Sequence, residues 1–575
     1  MPKDAPVTDV LSVSIGQYSS AGLKPSNQDF HGALVPEGQA LALKGVTLAL
    51  ADGISSSDVS HLAAQTTVAS LLDDYYCTSD AWSVRTAATR VIAATNAWLH
   101  AQNARIPGLD HDRGQVCTLA ALILKGGEAH VLHVGDSRVW RLSGDSLEPL
   151  TTDHRLTLSS TESYLDRAIG LRAEVEVDYA RLALQPGDIY LLTTDGVHDH
   201  MEARFVARTL REVPDLSLAA RLIAKEALAR GSADNLTIQI ARIDALPTGG
   251  LFETSLPVPQ GLRPGDTLDG YTLLRRVHAN HRSTIFLASD PQGGQVALKV
   301  PAIEIREDPT YMRQFLMEEW IARRITSAHV LRAAPPPAQR SALYVVTEFV
   351  EGVTLRQWMT DHPNPSLDQV REIIGQVIRG LRAFHRGDML HQDLRPENIM
   401  IDAAGTVKII DLGSARVAGV QEAAPMPQED PILGTLQYAA PEYFSGDPVS
   451  WRADLFSLGV IAYEMLTQRL PYGTQVSKVR ARRDVARLSY RSAREEGNAV
   501  PDWLDDALRR ACHPDPARRF EALSEFDAAL RRPGAAYSRR NPVPLAQRHP
   551  LRFWQGLSAL LAFICLILLA KITTP

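Results

Sequence analysis

Cysteine is scarce in this chain. Cys77, Cys117, Cys512 and Cys565 are the 4 among 575 residues, and they show neither CxxC spacing nor the density of a secreted disulfide scaffold. That excludes a disulfide framework and suits a reducing compartment. A large charge imbalance is also missing, because 60 Lys and Arg against 66 Asp and Glu leave a formal net charge of -6. No basic stripe interleaved with aromatics crosses the globular part, so no nucleic-acid partner is expected. The opening residues, MPKDAPVTDVLSVSIG, lack a positive region followed by an apolar stretch, and a cleaved secretory signal is not expected. Internal repeats are absent. One long apolar run does occur, from Phe553 to Ile572, broken only by Gln555, Gly556, Ser558 and Lys571. As a helix it would rise about 30 Å, enough to cross a bilayer core. Arg539, Arg540, Arg548 and Arg552 crowd its N-terminal side, as the positive-inside rule requires of a cytoplasmic flank. The competing reading is a buried C-terminal core helix, since the uninterrupted stretch from Ala559 to Ala570 is short.

The chain is too long for one hydrophobic core and predicts two folded domains with extras. Between residues 244 and 266, DALPTGGLFETSLPVPQGLRPGD repeats Pro and Gly without helical or strand periodicity and reads as a linker. A Pro/Arg-rich stretch at 532–551 joins the second domain to the apolar segment at 552–572. The first domain, 10–243, alternates β-rich runs (VTLALADG, CTLAALIL, AHVLHVGDSRVWRL, DIYLLTTDG) with helical stretches near 59–75 and 82–102. In the second, 267–531, strand-like VALKV and ALYVVTEFV come first and helices dominate afterwards. The expected class is multidomain α/β.

Asp52, Asp136 and Asp195 each stand where a β-rich run gives way to Gly or Ser, in ALADGIS, HVGDSR and LTTDGVH. Carboxylates at strand ends can converge on one sheet edge, and such hard oxygen ligands hold Mg²⁺ or Mn²⁺. Two ions roughly 3.5–4 Å apart clamp a phosphoryl group and acidify a water, so no protein nucleophile is needed. The ordered series SNQDF, ADG, VGDSR, LTTDH, TTDGVHD and SADNLTI resembles the PPM family of metal-dependent protein serine/threonine phosphatases over nearly all of residues 10 to 242. The resemblance implies a four-layer αββα sandwich acting on phosphoproteins. It implies that Asp52 bridges two Mn²⁺ or Mg²⁺ ions with the Gly53 carbonyl on one, and that Asp195 and Asp234 complete the other. Asp29 would support the cluster from behind or through water, and Asp136 would share a third ion with Asp195. The substrate-phosphate position falls at Lys24, where the family has arginine; lysine keeps the charge and loses the bidentate fork. Gln28 replaces the family's usual acidic residue. His198, Asp199 and His200 read as a polar loop beyond the TTDG turn, and His154 as a structural residue.

Further on, VALK ending at Lys299, HQDLRPEN from His391 to Asn398, DLG from Asp411 and APE ending at Glu442 follow in the order of a eukaryotic-like (Hanks-type) serine/threonine kinase. This resemblance spans about Tyr271 to Leu530 and implies a bilobal fold that binds ATP with Mg²⁺. Lys299 would neutralise the ATP phosphates while paired with Glu318, Glu319 being the neighbouring alternative. Asp393 would accept the substrate hydroxyl proton, Arg395 would lie near the transferred phosphate, and Asn398 and Asp411 would hold Mg²⁺. Glu348 lies in a hinge-like VVTEFVEG at the nucleotide, and Thr435, Asp454 and Arg519 match further family positions. Three features depart from the pattern. His278, Asn280 and Ser283 occupy the nucleotide loop where glycines let backbone N–H groups approach phosphate, so the grip should be weaker. DLG stands in place of DFG. HQD lacks the arginine that pairs with a phosphorylated activation segment, and residues 415–434 contain no Ser, Thr or Tyr, so no phosphorylation of that segment is needed.

The two resemblances imply a bifunctional signalling enzyme anchored by one C-terminal helix in the inner membrane, with both domains in the cytoplasm. The alternative is an active phosphatase carrying a pseudokinase that binds nucleotide or a partner. Autophosphorylation is expected in flexible segments, at Thr248, Thr254 or Ser255, with removal in cis by the phosphatase.

Overall fold

The computed structural model describes residues 10–106, 113–157, 163–248, 256–303, 308–335, 337, 339–424, 437–494, 500–534, 537 and 550–573. Thr254, Ser255 and Thr435 lie outside the described residues, as does most of the 532–551 segment.

The first domain is built on two five-stranded sheets. One runs in the order Ser12–Ser20, Leu236–Ala245, Ile189–Thr193, Arg138–Ser143, Ser146–Pro149. The other runs Asp178–Ala183, Glu128–Val134, Leu119–Lys125, Val46–Ala51, Phe30–Leu34. Strands buried on both faces must be apolar at every position, and Val46–Ala51 is the clearest case. Its Val46, Leu48 and Leu50 pack between the sheets with Leu122, Tyr190 and Ile243. Its Ala49 and Ala51 face outward beneath the helices Ser60–Cys77 and Val84–Asn103. On the opposite side, Ala203–Glu212 and Leu216–Ala229 cover the other sheet through Val206, Leu216, Ala220 and Ile223. The layers are helix, sheet, sheet, helix. Gly16 is required in the first strand, because a Cβ there would come within 2.1 Å of the Leu216 backbone.

The second domain opens with a five-stranded antiparallel sheet, Thr267–Leu268, Tyr271–Ala279, Ser283–Ser289, Gln295–Pro301 and Val345–Glu348. The helix Pro309–Arg324 follows the fourth strand, with Asp308 capping its first amides. The larger lobe is helical. Leu367–Arg386, closed by a Ser366/Gln369 capping box, packs with Arg452–Thr467, Asp502–Ala511 and Leu523–Arg531 around Ile374, Leu381, Phe456 and Leu508. Cys117 and Cys512 are buried, one in each domain, whereas Cys77 and Cys565 are exposed. Among the described residues one helix, Pro550–Thr573, is long and apolar enough over Pro550–Leu568 to cross a membrane. None of that stretch is buried against the rest of the chain, which is unlike a core helix.

Candidate active sites

Both sheets of the first domain deliver acidic residues to one edge. Asp52 follows Val46–Ala51, Asp136 follows Glu128–Val134, Asp195 follows Ile189–Thr193, and Asp234 precedes Leu236–Ala245. With Gly53 and Arg155 they line a cavity of about 400 Å³. The Asp52 backbone is pinned from both sides, its N–H donating to Thr118 Oγ1 at 2.9 Å and its carbonyl accepting from Thr118 N–H at 2.8 Å. Asp29 is buried behind Asp52, where its Oδ2 accepts from the hydroxyls of Thr237 (2.7 Å) and Thr194 (3.1 Å). Its Oδ1 and the Oδ1 of Asp195 are buried without a hydrogen-bond donor among the described residues.

Burial, followed by mutual repulsion, raises these carboxyls. Asp195 is pushed up to about 6 by burial and by Asp136 and Asp234. Asp29 is pushed up to about 6 by burial, with hydrogen bonds from Thr237 and Thr194 opposing the shift. Asp52 rises well above the ordinary range through burial and the charges of Asp29, Asp195 and Asp136. Crowded buried carboxylates with unpaired oxygens need added positive charge, and a set of hard oxygen donors fits Mn²⁺ or Mg²⁺.

Arg155 supplies part of that charge, and sequence reasoning missed it. Its Nε donates to Asp136 Oδ2 at 2.6 Å and its second nitrogen to Asp195 Oδ2 at 2.9 Å. The only signal available was its place directly after LTTDH. Lys24 reaches the cavity mouth, donating to Ser55 Oγ at 2.6 Å and pairing with Asp234. Gln28 faces away, its amide donating to the Ser57 carbonyl (2.6 Å) and Ser60 Oγ (2.9 Å). The polar-loop reading of 198–200 needs correction at His198, which is buried against Trp140 and bonded to Thr193 Oγ1 because Asp195–His198 forms a helical turn. His154 accepts the Gly135 N–H at Nδ1 (3.1 Å), and its Nε2 lies 3.0 Å from Asp178, which steadies the turn carrying Asp136.

In the second domain Lys299 Nζ donates to Glu318 Oε2 at 2.6 Å and lies 4.0 Å from Asp411 Oδ1. Burial alone would lower the lysine, but Glu318 and Asp411 outweigh it and keep the ammonium charged. Glu319 points elsewhere, accepting from both terminal nitrogens of Arg340 at 2.8 and 2.9 Å. Asn398 Nδ2 donates to Asp393 Oδ2 at 3.0 Å and to its carbonyl at 2.9 Å. Burial raises the Asp393 carboxyl despite the nearby His391 and Arg395 charges. Arg395 Nε lies 3.2 Å from Glu397. Asp454 accepts the amides of His391 and Gln392, each at 3.0 Å, and the ring of His385 at 2.9 Å. Burial would raise its carboxyl, yet these donors hold it below the ordinary value. The bracing matters because Gln392 and Asp411 both adopt left-handed backbone, at φ 67 and 59, which costs a non-glycine residue energy. Arg519 forks onto Glu442 through two 2.7 Å bonds, and both side chains are buried.

Both Glu348, expected at the nucleotide, and the loop expected to grip phosphate weakly are engaged by contacts within the chain. The Glu348 carboxylate is engaged by Lys408 Nζ at 2.9 and 3.0 Å and by the Arg332 N–H, so it is committed within the protein. At the hairpin tip that carries Asn280, the Asn280 side chain accepts the N–H groups of both Arg282 and Ser283 at 2.8 Å. Those amides would otherwise be open to phosphate.

Comparison with known families matches this division. The model for protein phosphatase 2C covers residues 19–230 and the model for the protein kinase domain covers residues 281–529. This chain joins a phosphatase 2C domain to a kinase domain. The kinase domain is similar to the serine/threonine-protein kinase PknA of Corynebacterium glutamicum, at 32% identity over 43% of this chain and 53% of that protein. It is also similar to PrkC of Bacillus subtilis, at 25% identity over 45% of this chain and 40% of that protein. The chain thus spans about half the length of the curated relatives it matches. Among solved structures, the catalytic domain of the phosphatase PstP in complex with two manganese ions aligns at 25% identity, with a TM-score of 0.35 over 41% of this chain and all of that one.

Proposed function

We propose that the chain is a bifunctional signalling enzyme: the phosphatase 2C domain hydrolyses phosphoserine and phosphothreonine on proteins, and the kinase domain transfers phosphate from ATP to protein Ser and Thr. The observation that carries this reading is the completeness of both constellations in one chain, the carboxylate cluster around Asp52 and Asp195 and the gathered Lys299, Glu318, Asp393, Asn398 and Asp411.

In the phosphatase domain Asp52, the Gly53 carbonyl, Asp195 and Asp234 would hold two Mn²⁺ or Mg²⁺ ions, with Asp29 steadying Asp52. Such ions supply an acidified water and offset the charge of the phosphoryl group. Lys24, at the cavity mouth, would meet the substrate phosphate once released from Asp234. A third ion between Asp136 and Asp195 would compete with Arg155. In the kinase domain Lys299 would orient the ATP phosphates, Asn398 and Asp411 would hold Mg²⁺, and Asp393 would take the proton from the attacking hydroxyl. Arg395 would remain near the transferred phosphate. The exposed helix over Pro550–Leu568 would anchor the chain in the inner membrane, with its arginine-rich flank and both domains cytoplasmic.

The test uses the full-length Asp52→Asn chain with labelled ATP, Mg²⁺ and a protein acceptor, so that product survives. Label should appear and be absent in Asp52→Asn/Asp393→Asn, while the parent chain should hydrolyse a phosphopeptide with Mn²⁺ and stop in chelator. Phosphate on the Asp52→Asn chain itself would mark Thr248 or the neighbouring linker as acceptors. A second reading, a pseudokinase beside an active phosphatase, draws on the Asn280 cap over the loop amides. Nucleotide binding without any transfer would select it.

A further inference from the structure

The helix Val84–Asn103 belongs to the phosphatase domain, but its N-terminus is closed by the kinase domain. Two kinase carboxylates accept its leading amides. Ser83 N–H donates to Asp388 Oδ2 at 3.1 Å, joined by the hydroxyls of Ser83 (2.7 Å) and Thr86 (2.8 Å). Val84 N–H donates to Glu422 Oε2 at 2.8 Å. Carboxylates at the positive end of a long helix are well placed electrostatically. They also come from informative positions. Asp388, itself left-handed at φ 57, precedes the short strand Met389–Leu390 that enters the catalytic loop at His391. Glu422 lies on Ala418–Ala423, the helical start of the activation segment, directly after Arg416–Val417, which pairs with Met389–Leu390.

Lys125 completes the contact. It ends the strand Leu119–Lys125, is 1% exposed, and its Nζ lies 3.2 Å from Glu422 Oε2. Glu422 is 9% exposed, and removing either charge would leave the other buried without its ion partner. Backbone fit is equally close. Gly419 N–H donates to the Ala81 carbonyl at 2.9 Å, and a Cβ on Gly419 would come within 2.4 Å of the Asp80 carbonyl oxygen. Trp82 Nε1 donates to the Arg386 carbonyl at 2.8 Å, and Asp80 pairs at 3.1 Å with Arg324, at the end of the helix that carries Glu318.

We propose that the phosphatase 2C domain is a positioning element of the kinase, with Lys125 and Glu422 as the positioning residues that hold the activation segment against the catalytic loop. Residues 415–434 contain no Ser, Thr or Tyr to phosphorylate, and the docked domain holds the described start of the segment, Arg416–Ala423, from outside. The inference rests on the kinase domain being active, and it concerns the fold of the phosphatase domain rather than its turnover.

The experiment compares full-length chains, all in the Asp52→Asn background, by phosphotransfer kinetics and by hydrogen exchange of residues 416–423. Glu422→Gln and Lys125→Met should each lower kcat roughly tenfold, leave the ATP KM within about twofold, and speed exchange in 416–423. The double variant should lower kcat no further than the worse of the two singles, because the two side chains act as one pair. Trp82→Phe deletes one bond across the contact without introducing a charge and should show the same exchange change at smaller amplitude. Unaltered exchange and kcat in every variant overturns the proposal, and so does a double variant as poor as the sum of the singles. If the Asp52→Asn parent itself transfers no phosphate, the kinase reading fails, and the exchange data alone then decide whether the phosphatase domain holds the segment.

Discussion

The two sites of this chain keep opposite electrostatic accounts. In the kinase domain the buried charges are balanced by the protein: Lys299 by Glu318, Asp454 by His385 and two loop amides, Arg519 by Glu442. In the phosphatase domain four carboxylates crowd one cavity edge, two buried oxygens lack donors, and among the described residues Arg155 and Lys24 are the cations that answer them. One site pairs these buried charges within the fold, whereas the other leaves carboxylates that added cations would complete. Two domains in one chain therefore should respond differently to the same change of medium.

The largest effect expected is on phosphatase turnover. Asp52→Asn or Asp195→Asn removes a charge from the carboxylate cluster and should cut phosphopeptide hydrolysis by roughly 10²-fold or more, with phosphotransfer little changed. Hydrolysis that persists in excess chelator would break the contrast between the sites. Next comes the kinase: Asp393→Asn should lower phosphotransfer by about 10²–10⁴-fold with ATP binding retained. Lys299→Met should also abolish transfer and weaken ATP binding, measured by titration calorimetry.

A smaller effect concerns pH. Asp29 and Asp195 move from an ordinary 3.8 to about 6 on folding, so the folded phosphatase domain holds protons that the unfolded chain releases. Without metal, the contribution of these groups to stability is therefore greatest at low pH and declines as pH rises from about 4 through about 6. Calorimetry of the full chain in chelator should show the phosphatase transition weakening across that window, and Mn²⁺ at pH 7 should restore it while the kinase transition stays in place. Identical transitions with chelator and with Mn²⁺ would count against a metal-completed site. The smallest effect is at the nucleotide loop, where Asn280→Gly frees the amides of Arg282 and Ser283 and should lower the ATP KM by a few-fold, on the order of one hydrogen bond's worth.

Legibility in the sequence followed the range of each contact. Asp52, Asp136 and Asp195 could be read because each ends an apolar strand run, and the sandwich then gathers those ends without further information. The spacing from Phe315 in the family pattern favours Glu318 over Glu319, and the fold pairs Glu318 with Lys299 and Glu319 with Arg340 because the two face different sides of Pro309–Arg324. Arg155 leaves no local trace, since a guanidinium reaching Asp195 across forty residues obeys no short period. His198 looked like part of a polar loop because the burial of its ring comes from Trp140, far away in sequence. The seating of Asp388 and Glu422 on the Val84–Asn103 helix joins residues about three hundred positions apart, beyond the reach of any motif.

The scarce cysteines gain a use from where folding leaves them. Burial lifts the Cys117 thiol to about 12, which leaves about one thiolate in 10⁵ at neutral pH, and burial lifts Cys512 as well. Neither should react with peroxide or an alkylating agent while its domain stays closed, and neither sits among the residues assigned to the two sites. Cys77 is exposed and should be modified first, whereas Cys565 lies on the helix proposed to enter the bilayer. What remains is one protected sulfur per domain, and the order in which Cys117 and Cys512 become reactive under mild heating tells which half of the molecule opens first.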